Sequence, residues 1–238
     1  QLNFAIGAVV AALALPKTEP LTFALIREVC AACLLTVYAS KQGEAVVPPR
    51  GSRALMARLG ACACATQVLA ILGLKISADP TAFALWQPAQ PVAVAGVSIL
   101  LRWDRPDAGR IIGVVLAALG CYTAAKTRGG AGLAAHGCFA AAAAAGAAYQ
   151  LVSKPATRRH APVAVAAWAY SYAAVGTALS AAALWAGGVS LCPECSSFYA
   201  VPIEAWPALA WWIVCSTCVN YALMMWCVKR SSPTLVSA

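Results

Sequence analysis

Two adjacent charged residues, Arg27 and Glu28, interrupt the apolar stretch PLTFALIREVCAACLL and are the first candidates for chemistry in this chain. A charge at membrane depth costs about 2.5–3.5 kcal/mol on insertion scales, so its retention there points to function. Arg27 lies about seven residues into the stretch, roughly 10 Å from its start at 1.5 Å per residue. It either faces a cavity or braces a neighbouring helix. Adjacent helical positions point some 100° apart, so Arg27 and Glu28 do not face one ligand equally well. Glu28 either neutralises a charge on another helix or carries a coupling proton.

A second constellation is Trp86-Gln87-Pro88-Ala89-Gln90-Pro91. Gln87 and Gln90 share a helical face, while each proline removes a backbone donor and frees a carbonyl that needs a polar partner. Broken helices at repeat interfaces are where membrane transporters hold solutes. The competing reading is a kinked helix whose Gln side chains only satisfy that freed backbone. Candidate solute-binding residues are thus Arg27, Trp86, Gln87 and Gln90, joined by Gln67, Tyr149, Asn220 and Tyr221 inside other apolar stretches. For each of these four, as for Asn3, Gln150 and Trp168, the alternative is an interhelical hydrogen bond worth about 0.6 kcal/mol.

Cysteine supplies three C-x-x-C pairs: Cys30/Cys33, Cys192/Cys195 and Cys215/Cys218. The first and last lie in apolar stretches, where Cys packs as a small hydrophobe, and two His in the whole chain leave zinc short of ligands. No metal and no cofactor are expected. Cys192 and Cys195 lie in the long 187–204 loop, where an oxidising compartment would close a local disulfide. Catalysis is not expected either: aspartyl chemistry needs paired carboxylates, and His136 and His160 lack a carboxylate at working distance. No G-x-x-x-x-G-K-[ST] loop supplies an ATP engine.

The elements that must hold these residues are dictated by composition. Hydrophobic residues make up 62% of 238, charged residues 11%, and mean hydropathy is +0.75, so this is a membrane protein. About eight apolar spans of bilayer length are predicted, near 2–15, 20–39, 54–74, 80–101, 108–125, 131–153, 162–186 and 205–228, with a ninth starting at Ser232. The net charge of +9 follows alternate loops. Lys41, Arg50, Arg53, Arg58, Arg102, Arg105, Arg110, Lys154, Arg158, Arg159, Lys229 and Arg230 fall on one side, against Lys17, Lys75, Lys126 and Arg128 on the other. The positive-inside rule makes the 40–53, 102–107 and 154–161 loops cytoplasmic, and excludes a nucleic-acid partner as the reason for the charge. Gly109-x-x-x-Gly113 and the Ala-rich sixth span are assigned to close helix packing.

LKISADPTAFA and VKRSSPTLVSA are near-copies. Aligning Lys75 with Lys229 brings Pro80-Thr81 onto Pro233-Thr234 with a one-residue slip, and sets Gln67 opposite Tyr221. Five spans separate matching points, so the second copy enters the membrane upside down. The repeats are expected at 1–127, with its first helix truncated, and 128–238. By the same register Ala238 matches about residue 84, which leaves the second copy about 41 residues short of two further helices. The fold class expected is therefore all-α, a polytopic transmembrane bundle of inverted five-helix repeats.

On this set of stretches, PLTFALIREVCAACLL, LGLKISADPTAFALWQPAQPVAVAGVSILLRWDRP, GRIIGVVLAALGCY, GAAYQLVSKPATRRHAPVAVAAW and NYALMMWCVKRSSPTLVSA, the chain resembles the EamA-type drug/metabolite transporter superfamily. The resemblance is carried by their co-linear order rather than by one motif. It implies a ten-helix secondary transporter with Arg27 at the family's helix-two arginine; it departs in that the acidic residue at the end of span four is displaced to Asp104. The function expected is alternating-access movement of a small metabolite or drug-like solute across a plasma or organelle membrane. The partners are then the lipid bilayer and the solute. The alternative is a non-transporting membrane protein, such as an inactive truncated relative.

Overall fold

A computed structural model describes residues 18–77, 86, 89–100, 108–127, 132–189, 191 and 201–231. Among them there are helices and turns and no strand. The helices are α1 (Pro20–Lys41), α2 (Arg53–Ser77), α3 (Ala89–Leu100), α4 (Ala108–Thr127), α5 (Leu133–Arg159), α6 (Pro162–Ala186), α7 (Trp206–Trp211) and α8 (Asn220–Arg230). A π-helix, Trp212–Val219, joins α7 to α8 without a break. Short 3₁₀ turns, Arg50–Ser52 and Ile203–Ala205, lead into α2 and α7.

Four of these stretches are long and apolar enough to cross a bilayer: Pro20–Lys41, Arg50–Ser77, Pro162–Ala186 and Ile203–Arg230. They coincide with the second, third, seventh and eighth expected spans. The expected count of eight is not reached among the described residues. Ala89–Leu100 and the Ile111–Gly120 part of α4 are apolar but shorter. The 27-residue α5 has the length, but it is built on Ala and carries His136, Gln150 and Lys154. The first and ninth spans, most of the fourth span's opening half, and Asn3 and Asp104 lie outside the described residues. The expected 154–161 loop is corrected too: α5 runs on through Pro155 to Arg159, anchored by the buried Ala156 and Thr157, so only His160 and Ala161 connect it to α6.

The chain forms two compact units, Gln1–Cys64 with Ala156–Trp226, and Ala65–Pro155 with Cys227–Ala238. The first contains two helix pairs built with the same local devices. Pro20 and Pro162 open α1 and α6 in the first turn, where a missing N–H leaves nothing unsatisfied. Both helices stop in the same way. Glu44 N–H reaches Ala39 O (3.1 Å) and Gly43 N–H reaches Ser40 O (3.0 Å); Val189 N–H reaches Leu184 O (2.9 Å) and Gly188 N–H reaches Trp185 O (3.0 Å). This paired capping needs a left-handed residue, supplied by Gly43 (φ 81°) and Gly188 (φ 69°). The following helix is entered alike as well, through Pro49 (φ −53°, ψ 147°) and Pro202 (φ −57°, ψ 148°), each capping a three-residue 3₁₀ turn.

Contacts at both ends set the direction of α1 against α6. Where α1 begins and α6 has ended, Leu191 N–H donates to Glu19 Oε1 (3.1 Å). Where α1 has ended and α6 begins, Trp168 Nε1–H is shared by the carbonyls of Ala45 and Val46, each at 3.2 Å. Ser52 Oγ meets His160 Nε2 at 2.7 Å at that same end. The two helices therefore run antiparallel. Both helices carry many small buried residues, Ala31, Ala32, Ala166, Ala173 and Ala181 among them, which let neighbouring backbones approach as membrane helices require. Large apolar side chains turned outward, such as Val37 on α1 and Val175 and Leu179 on α6, leave a surface suited to lipid.

In the second unit α5 is the scaffold. Ala135 and Phe139 pack with Leu74 and Trp86, and further along Ala147 and Leu151 pack with Val94. Contacts that advance together along α3 and α5 make those two helices parallel. Lys154 Nζ donates to the carbonyls of Val228 (2.6 Å) and Ser231, closing the C-terminal end of α8 with a cation.

Candidate functional site

The buried charges sit at one depth. Glu28 is the ninth residue of α1, about 12 Å from Pro20, and Thr177 lies about 14 Å from the antiparallel end of α6 at 1.5 Å per residue. Cys64, eleven residues into α2 from the opposite end, reaches the same level of a hydrocarbon layer about 30 Å thick. Arg27 Nη2 and Glu28 Oε1 are 3.4 Å apart with both side chains buried. Neighbouring positions on a helix diverge, and it is the length of the arginine that closes the gap.

Each member of the pair then turns to a different helix. The Arg27 guanidinium lies 5.4 Å from the ring centroid of Trp212, at the start of the π-helix, a cation–π arrangement. On the other side the Thr177 hydroxyl stands beside the Glu28 carboxylate and donates to Cys64 Sγ at 3.7 Å. Glu28 Oε2, Arg27 Nε and the buried hydroxyl of Ser216 complete no hydrogen bond. An unused carboxylate oxygen beside an unused guanidinium N–H offers places for a proton or a polar group to bind and leave.

Helix approach around this pair is close. A Cβ on Gly60 of α2 would fall 2.2 Å from Tyr172 Cβ, and one on Gly176 of α6 would fall 2.9 Å from Cys64 Sγ. On the α1 side, Cys218 Sγ lies 3.9 Å from the Ala31 carbonyl, and Tyr221 stands edge-on to Tyr170 with centroids 4.9 Å apart. The π-helix, a geometry that recurs at functional sites, supplies Trp212, Ser216 and Cys218. Trp212→Leu keeps an apolar side chain and removes the ring charge distribution. It is expected to cost about 0.5–2 kcal/mol, read as a lower melting temperature that Trp212→Phe partly restores.

The residues expected to bind solute divide between the units. Arg27, Glu28, Asn220 and Tyr221 belong to the first; Gln67, Trp86, Gln90 and Tyr149 belong to the second. Trp86 Nε1–H donates to His136 Nδ1 at 3.1 Å, which assigns the neutral ring's own proton to Nε2. The Gln90 amide lies against Gly146, where a Cβ would come within 2.9 Å of it. Tyr149 is buried on α5, and Gln67 and Asn220 are half-buried. Pro91 lies in helical backbone; Gln87 and Pro88, and with them the expected helix break, lie outside the described residues, as do Cys192 and Cys195. Cys30, Cys33, Cys215 and Cys218 form no disulfide, and no group of described residues could hold a metal.

Thr177, Cys64 and Trp212 complete the cluster around the buried pair without having been singled out by sequence. Threonine and cysteine among alanines read as ordinary packing residues; the one signal was depth, since all lie mid-span opposite a charged pair. Compared with known protein families, curated proteins and solved structures, the chain finds no match.

Proposed function

We propose that this chain is a multi-pass membrane transporter of the EamA-type drug/metabolite kind, moving a small metabolite or drug-like solute by alternating access. The observation that carries the reading is the pair of alike-built helix pairs whose first members, α1 and α6, run antiparallel. Identical devices in opposite orientation are what an inverted repeat requires, and inverted repeats place their solute near the midplane. The proposal keeps two five-helix repeats, about eight spans and a ninth begun at Ser232.

The Ser52–His160 bond joins the 42–52 connection to the short His160–Ala161 connection, in keeping with a cytoplasmic placement of that end by charge. Within the first unit Arg27 and Tyr221 are the proposed solute contacts, and Glu28 carries the coupling proton. Uptake into proteoliposomes of full-length protein, over a panel of metabolites, tests this. Saturable uptake is expected for at least one solute. It falls about tenfold or more in Arg27→Lys, which keeps the charge but gives up a planar, five-donor fork. Absence of uptake for every solute by well-folded protein overturns the reading.

A further inference from the structure

One end of the first unit carries more than the charge asymmetry of an inserted protein. Lys41, Arg50, Arg53, Arg58, Arg158 and Arg159 are all exposed, and Glu44 is the one acidic side chain described there. The 41–53 segment that holds half of them is pinned rather than loose. Trp168 Nε1–H holds the carbonyls of Ala45 and Val46, Ser52 Oγ meets His160 Nε2 at 2.7 Å, and the His160 ring lies edge-on to Trp168 at 5.2 Å. Arg53 Nε–H donates to the Pro48 carbonyl at 3.3 Å, which orients its guanidinium. Between the cations, Val46 and Val47 are each 59% exposed, although the segment lies beyond the end of α1.

We infer that this end of the unit is a docking surface for anionic phospholipid headgroups. Exposed valines flanked by cations match the boundary between acyl chains and headgroups: the valines enter the apolar edge while the arginines meet phosphate oxygens. Arginine suits that role because its planar fork binds phosphate in a bidentate manner. The Ser52–His160 bond fixes the distance between the Arg50/Arg53 and Arg158/Arg159 segments, so two headgroups meet a preformed arrangement. The surface does not depend on transport.

The test reconstitutes the full chain in nanodiscs of phosphatidylcholine doped with phosphatidylglycerol, and counts retained lipid of each kind by native mass spectrometry. Preferential retention of phosphatidylglycerol is expected. Arg158→Gln with Arg159→Gln should lower that preference about thirtyfold at most, at about 1 kcal/mol per surface cation and 1.4 kcal/mol per factor of ten. Lys229→Gln with Arg230→Gln, an equal change of charge, should lower it much less. Ser52→Ala removes the staple and no charge, and should still lower it. Equal losses from the two double variants, no change in Ser52→Ala, or no preference at all would each overturn the docking surface. The same preference for soluble inositol phosphate would overturn the lipid as its occupant.

Discussion

Glu28→Ala is expected to be among the most damaging single changes in the protein, lowering stability by about 3–5 kcal/mol. The carboxylate is buried beside Arg27, so deletion leaves a guanidinium at membrane depth with one face on Trp212 and no counter-ion. Glu28→Gln should cost less, because the amide still fills the space and meets Thr177. The informative variant is the double replacement, Arg27→Met with Glu28→Leu. A buried pair exchanged for apolar residues of similar volume is often neutral or better, so much of the stability should return. Transport should not. Thermal unfolding of the purified protein reads the first quantity and uptake the second. Single and double variants of equal stability would mean that the pair is not enclosed as described.

Gly60→Leu should come next, with a loss on the order of 3 kcal/mol through overpacking. A Cβ at Gly60 falls 2.2 Å from Tyr172 Cβ and 2.9 Å from the Ala173 backbone nitrogen, so neither a rotamer change nor a flexible tip can make room. The two helices must part, and Cys64, one turn along α2, moves away from Thr177 with them. Gly113 on α4 is the control: a Cβ there meets nothing within 4 Å, so Gly113→Ala should be neutral or stabilising by up to about 1 kcal/mol. A similar melting temperature for Gly60→Leu and Gly113→Ala would contradict the packing of α2 on α6.

That contrast shows what could be read from sequence. Gly109-x-x-x-Gly113 has the spacing of a packing motif, yet Gly113 faces open space, while the tight approaches fall at Gly60, Gly73, Gly146 and Gly176, in no motif at all. Spacing reports which residues share a face and is silent on whether another helix lies against it. Helix ends were legible because their chemistry is local: Pro20, Pro162, Gly43 and Gly188 stop and start helices through their own backbone constraints. Expected and observed bounds of α6 agree at 162–186 for that reason.

The end of α5 was misread because Lys154, Pro155 and two arginines look like a loop, whereas burial of Ala156 and Thr157 carries the helix through them. Arg27 and Glu28 stood out by charge alone. Their partners Thr177, Cys64 and Trp212 come from distant parts of the chain and could be joined only by the fold. The cap geometry shared by the two helix entries was not legible, because unlike residues build it: Pro49-Arg50-Gly51-Ser52 and Pro202-Ile203-Glu204-Ala205 have little in common but the proline and the turn.

The inversion of these two pairs is the central claim, and side-specific labelling tests it most directly. Glu44→Cys and Val189→Cys place single thiols just beyond the matching glycine caps of α1 and α6, in full-length protein whose native cysteines have been replaced. With an impermeant maleimide applied to sealed vesicles of known orientation, the account predicts that the position-44 thiol reacts from the cytoplasmic face and the position-189 thiol only from the opposite face. Labelling of both from the same face would contradict it.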